Sequence, residues 1–230
     1  MQLFCFTFAG GTADFYSDLE CELGAAVKVV KLEYSGHGKR RKEPFYHDFE
    51  ELAQDLYLKV KEQNDKNEPY ALMGYSMGSI SAVEVLKKIM LDKQMKLPVH
   101  IFLAAHEPKT KIELLDYSDL EMDEYAKKRT ILFGGIPERL INNSSFWRIY
   151  LPIYRTDYSI IGKYQFEKLE IESPIPTTVF YSEKDTPIAD MIQWKKYFIG
   201  ECEFMHYDGM HFFIKEHYTE IADVIRTRLI

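Results

Sequence analysis

Short runs of β-branched and aromatic residues recur along the chain: LFCFTF (3–8), VKVVKL (27–32), YALMGY (70–75), VHIFLAA (99–105), PTTVFYS (176–182) and ECEFMHY (201–207). Each has the length and composition of a β-strand. Between them lie stretches with helical periodicity. In DFEELAQDLYLKVKEQ (48–63), Phe49, Leu52, Ala53, Leu56 and Val60 fall on one face at 3.6 residues per turn. Strand alternating with helix predicts an α/β protein with a mostly parallel sheet of about six strands and helices on both faces. Ligands bind such sheets at the carboxyl ends of the strands.

One segment breaks the rhythm. From about Glu107 to Glu170 no strand pattern appears, and helical fragments, DEYAKKRTILF and FWRIYLPIYRTDYSIIGKYQF, are joined through Gly134, Gly135 and Pro137. The segment is too long for an ordinary connection and too apolar for a disordered loop. It is expected to fold as a helical lid over the strand ends, with Phe133, Phe146, Trp147, Tyr150, Tyr154, Tyr158 and Phe166 serving mostly as lid packing and in part as an acyl path.

Length and composition narrow the field. The 230 residues, 46% hydrophobic and 28% charged, suit one domain spanning 1–230. A net charge of -7 argues against a nucleic-acid or anionic-membrane partner, both of which need a basic footprint. The opening MQLFCFTFAGG has no basic leader and only a short apolar run, and no stretch approaches a membrane span, so the expectation is a cytoplasmic protein. Cys5, Cys21 and Cys202 have no paired spacing, which points to neither a disulfide framework nor a zinc site. A monomer is the default expectation.

Candidate chemistry begins at Gly74-Tyr75-Ser76-Met77-Gly78, directly after the strand YALM and before the amphipathic stretch SISAVEVLKKIM. A nucleophile on a sharp strand-to-helix turn needs small residues two positions either way, where side chains would collide. A serine hydroxyl also needs a base, and the base needs an orienting group. Hydrolases of this architecture place them in the order Ser, acid after a later strand, His near the C-terminus. Asp185 follows the strand TTVFYS, and His211 stands in the turn of HYDGMHFF.

Each of these positions has rivals nearby. Glu183 sits closer to the strand in a solvated place, and Asp190 falls within the next helix. Among the histidines, His206 ends a strand and is expected by alternation to point into packing. His217 lies on the last helix, His106 stands ahead of Pro108 where the lid begins, and His37, His47 and His100 read as surface or packed residues. An oxyanion needs backbone donors, one after the nucleophile and one from the loop after the first strand. Met77 supplies the first; Ala9 or Gly10 of FAGGT (8–12) is placed to supply the second. A dinucleotide loop there would need GxGxxG spacing, which is absent.

Taken together, these motifs resemble those of the type II thioesterases that accompany polyketide and nonribosomal peptide synthetases, in the α/β-hydrolase superfamily. The resemblance covers nearly the whole chain. It rests on FTFAGGT (6–12), GHGKRRKEP (36–44), GYSMGS, FGGIPERL (133–140), Asp157-Tyr158, EKDTPI and GMHFFI. It implies an α/β-hydrolase fold with a lid and a triad of Ser76, Asp185 and His211, the last two 211 − 185 = 26 residues apart. Thr7 stands where the family has proline, with an effect expected on the rigidity of the oxyanion loop. Met210 replaces a glycine before the histidine, where it is expected to reshape the acyl channel.

The implied reaction is hydrolysis of an acyl group from the phosphopantetheine arm of an acyl or peptidyl carrier protein, in editing or product release, with no metal or bound cofactor. Lys39, Arg40 and Arg41 form a basic cluster in an acidic chain and could guide an acidic carrier. An acyl-CoA thioesterase or a small-ester carboxylesterase would use the same triad. A non-enzymatic receptor on this fold would typically lack one of its members.

Overall fold

In the computed structural model, which describes residues 1–114 and 116–230, six strands form one sheet in the order β2-β1-β3-β4-β5-β6, with every neighbouring pair parallel. The strands are β1 Gln2–Phe6, β2 Lys28–Leu32, β3 Tyr70–Tyr75, β4 His100–Ala104, β5 Thr177–Tyr181 and β6 Cys202–His206. All six coincide with the expected runs. The reason is burial: every residue of β1, β3 and β4 is buried, so these strands read as continuous apolar runs rather than alternating ones.

Among the described residues eight α-helices accompany the sheet: α1 Ser17–Leu23, α2 Phe49–Gln63, α3 Met77–Leu91, α4 Asp119–Leu132, α5 Glu138–Ile141, α6 Ser144–Lys163, α7 Ile188–Met191 and α8 Tyr218–Leu229. Alternate side chains of β1 divide the core between the two faces. Leu3 and Cys5 join Leu19 and Leu23 of α1 and Ile221 and Ile225 of α8, whereas Phe4 and Phe6 join Leu52 and Leu56 of α2 and Ile80 and Val83 of α3. Helix α2 starts where Asp48 accepts a hydrogen bond from the Glu51 amide, an N-cap that satisfies one of the free first-turn donors.

Between β4 and β5 the regular elements among the described residues are helices, and α4 packs on α6. The two stems of this insertion meet. Thr110 Oγ1 accepts from the Phe166 amide at 3.0 Å and donates to the Glu167 carboxylate.

After β1 the chain turns to one side for β2 and then crosses to the other side for β3, so the strand order reverses between β1 and β3. Beyond the carboxyl ends of these two strands a crevice opens. The loop 7–12 and Ser76 both stand there.

Candidate active site

Ser76 closes β3 with φ 54° and ψ -120°, a strained conformation for a residue with a side chain, and caps α3 at its N-terminus. Its amide donates to the Ala104 carbonyl at 2.8 Å, which ties the turn to β4. Both flanking glycines are sterically required: a Cβ on Gly74 would lie 2.1 Å from the Gly78 carbonyl oxygen, and one on Gly78 would lie 2.0 Å from that of Phe6. The turn therefore fits between its own helix and β1 only without side chains at these positions.

The structure brings together the three residues that the sequence order singled out. His211 Nε2 is 3.0 Å from Ser76 Oγ, and His211 Nδ1 is 2.8 Å from Asp185 Oδ1. The histidine and carboxylate side chains are 6% and 5% exposed, which keeps the chain of bonds out of water. Such an arrangement can pass the serine proton to the imidazole while the carboxylate fixes the tautomer with hydrogen on Nδ1. Asp185 Oδ2 is buried with no protein partner among the described residues. The Tyr75 hydroxyl donates to the His211 carbonyl at 2.6 Å and anchors the loop that carries the base.

The rivals are elsewhere. Glu183 is exposed and accepts a hydrogen bond from the Ile188 amide, and Asp190 lies within α7. His106 borders the cleft, but its Nδ1 faces the Glu107 carbonyl, and burial pushes its pKa down to about 4. His100 is buried against Thr178, and His47 is exposed beside Glu51. His206 corrects an expectation: it is exposed rather than packed, because β6 is the edge strand and is only partly covered.

The loop after β1 is held by two tyrosine hydroxyls, Tyr16 donating to the Phe6 carbonyl at 2.7 Å and Tyr34 to the Thr7 carbonyl at 2.8 Å. Gly11 donates to the Phe8 carbonyl at 2.9 Å, closing a turn with Ala9 and Gly10 at its centre. Gly10 has φ 76°, a region that favours glycine. Of the two proposed loop donors, Gly10 is ruled out by geometry, because its amide donates to Asp157 Oδ2 at 2.6 Å. The Ala9 and Met77 amides make no hydrogen bond among the described residues. A buried N–H without a partner is rare, and Ala9 borders the same small cleft as Ser76 and His211.

Two more expectations need correction. Arg40 is not a free surface cation: its guanidinium donates to Asp55, Glu43 and the Glu33 carbonyl, with the side chain 16% exposed, while Lys39 and Arg41 are exposed. Met210 is 52% exposed and does not border the cleft.

Of the lid aromatics expected mainly in packing, Phe166 and Trp147 are buried within the apolar cluster. Phe133 differs. It caps α4 and stacks on the His211 ring, centroids 3.7 Å apart, and the Arg129 guanidinium lies over it 4.2 Å from its centroid. No local pattern marks this contact, because the partners are far apart in the chain. With Tyr158, these residues roof the cleft above Ser76.

Known proteins resemble this chain over nearly its whole length. A family model described as thioesterase domain matches residues 1–229. The gramicidin S biosynthesis protein GrsT of Aneurinibacillus migulanus is 26% identical over 233 residues, covering 100% of this chain and 89% of that protein. Among solved structures, the RedJ thioesterase from the prodiginine biosynthetic pathway in Streptomyces coelicolor is 25% identical with a TM-score of 0.85, covering 99% of this chain and 85% of RedJ. The type II thioesterase BorB from the borrelidin biosynthetic cluster is 26% identical with a TM-score of 0.83, covering 100% of this chain and 92% of BorB.

Proposed function

The chain belongs to the thioesterase domain family, hydrolases of thioesters with the α/β-hydrolase fold, and from that premise we propose that it removes acyl groups from the phosphopantetheine arm of acyl or peptidyl carrier proteins in polyketide or nonribosomal peptide synthesis. The observation that carries the reading is the hydrogen-bonded chain from Ser76 through His211 to Asp185 on a strained strand-to-helix turn.

In the proposed reaction, Ser76 Oγ attacks the thioester carbonyl while His211 Nε2 takes its proton. Asp185 holds the imidazole and stabilises its cationic form. The developing oxyanion is met by the Met77 and Ala9 amides, which stand without other partners. Collapse breaks the carbon–sulfur bond, and His211 returns the proton to the departing thiolate. Water, deprotonated by His211, then attacks the acyl-serine ester; the bond from the acyl carbon to Oγ breaks, His211 returns the proton to Ser76 Oγ, and the acid leaves. The phosphopantetheine belongs to the substrate, so the sequence of steps needs no metal or bound cofactor.

For the carrier itself, the support is the kind of pathway that the relatives serve, together with exposed Lys39 and Arg41 on the loop after β2, which leaves the parallel sheet on the same side as the turn that carries Ser76. Acidic carriers would be steered by such charges in a salt-dependent way. The decisive experiment compares hydrolysis of one acyl group on a carrier protein, on coenzyme A and on a pantetheine analogue, by the wild type and by Ser76→Ala. A preference for the carrier that vanishes in Ser76→Ala is expected. Equal or better turnover of the coenzyme A ester would assign the same triad to an acyl-CoA thioesterase instead.

A further inference from the structure

We propose that His37 and Asp157 are positioning residues for hydrolysis: a buried imidazolium–carboxylate link that aims the loop carrying Ala9 and seats the lid helix α6 upon it. The inference rests on the reading of Ser76 and that loop as the reacting site.

The protonation state follows from the partners. His37 Nδ1 lies 2.9 Å from the Ser35 carbonyl, which can only accept, so Nδ1 carries hydrogen. Nε2 lies 2.9 Å from Asp157 Oδ2, an oxygen that also accepts from the Gly10 amide at 2.6 Å. With Oδ2 already taken as acceptor by the Gly10 amide, we assign the bridging hydrogen to Nε2 as well. His37 is therefore a cation, with the histidine and carboxylate side chains each 2% exposed. A charge pair this deep holds only when both members are fully hydrogen-bonded, and three bonds converge here from three separate segments.

The link acts on the oxyanion loop through Gly10. Fixing the Gly10 N–H fixes the peptide plane between Ala9 and Gly10, and with the Gly11-to-Phe8 bond it leaves the Ala9 amide one orientation. One turn before Asp157 on α6, the Tyr154 ring covers Gly10 so closely that a Cβ there would lie 1.9 Å from Tyr154 Cε1. Seating of the lid and direction of the oxyanion donor are thus set by the same helix.

The link should respond to pH. Burial opposes the charge on His37, but the Asp157 carboxylate, the Ser35 carbonyl and the more distant Glu33 outweigh it and hold its pKa above the ordinary histidine value. The other groups about the pair are the rings of Tyr34 and Phe45 beside His37, and Tyr154 beside Asp157. Arg40, on the same loop, is bound to Asp55 and Glu43. Once His37 loses its Nε2 proton, a lone pair faces Asp157 Oδ2 and the link opens.

The test is kcat and KM for an acyl-pantetheine thioester from about pH 6 to about pH 10, using the intact protein and the variants His37→Gln, His37→Arg and Ser76→Ala. The wild type should lose kcat on the alkaline side. His37→Gln should lower kcat about tenfold at neutral pH with little change in KM, and His37→Arg, permanently charged and able to reach a carboxylate, should restore kcat and remove the alkaline decline. A folded His37→Gln with wild-type kcat and profile would overturn the proposal, as would an unchanged alkaline decline in His37→Arg. If the arginine variant does not fold, the glutamine profile decides. Turnover retained in Ser76→Ala would sink the underlying assignment, a result distinct from failure of the His37 variants alone.

Discussion

The Phe133 ring lies nearly parallel to the His211 imidazole, 13° between planes, so a lid residue forms one wall of the base's own pocket. The face of an aromatic ring favours a cation, and in the proposed reaction His211 becomes one as Ser76 attacks. Phe133→Leu keeps apolar bulk but removes the ring face. It should lower kcat for a simple thioester about two- to tenfold, since a partly desolvated cation–π contact contributes about 0.5–1.5 kcal/mol. Unchanged kcat would reduce Phe133 to a lid contact.

Gly78 sits where α3 crosses β1, and an added Cβ would meet the backbone carbonyls of Phe6 and Thr7 at 2.0 and 2.7 Å. Neither carbonyl can move without shifting the end of the central strand. Gly78→Ala should cost about 3 kcal/mol or more and lower the thermal midpoint by roughly 6–12 °C for a chain of this size. A midpoint within about 2 °C of the wild type would contradict the steric account.

Arg40 and Arg41 are adjacent yet should behave differently. Arg40→Ala strips partners from Asp55 and Glu43 and should destabilise the protein by about 1–2 kcal/mol, allowing for the solvent that reaches the pair. Arg41→Ala should stay within about 0.5 kcal/mol in stability and instead raise KM for a carrier substrate at low salt. Denaturant unfolding alongside steady-state kinetics separates the two effects.

Stability should carry the signature of His37. Its folded pKa is raised, so the stabilisation is complete below the unfolded value near 6.5 and disappears as pH climbs through the folded one. The difference in unfolding free energy between wild type and His37→Gln should therefore shrink from mildly acidic to alkaline pH. Taking the difference cancels His100 and His106, whose pKa values burial pushes down to about 4 and whose effect has the opposite sign. A difference that grows with pH would refute a charged His37.

What could be read in the chain and what could not divide along physical lines. Strands buried on both faces announce themselves as apolar runs, and the Gly74-x-Ser76-x-Gly78 turn does so because its sterics admit few alternatives. The order of Ser76, Asp185 and His211 is equally plain, since each follows a strand in sequence. The misreadings concern where polar groups find partners. The Gly10 amide bonds a carboxylate 147 positions away, and Arg40 bonds Asp55 on a helix, neither of which has a local signature. His206 misled because alternation presumes one covered face, and edge strand β6 is only partly covered.

Helix α6 carries Tyr154 and Asp157 on the side that grips the loop after β1, while Ile149 and Tyr150, one turn earlier, are exposed at 61% and 37%. The inserted segment is consequently not an interchangeable cassette. A chimera that borrows a lid from a relative inherits a broken catalytic loop unless the graft brings its own match for Gly10 and His37, whereas the outward positions of the first half of α6 are open to redesign.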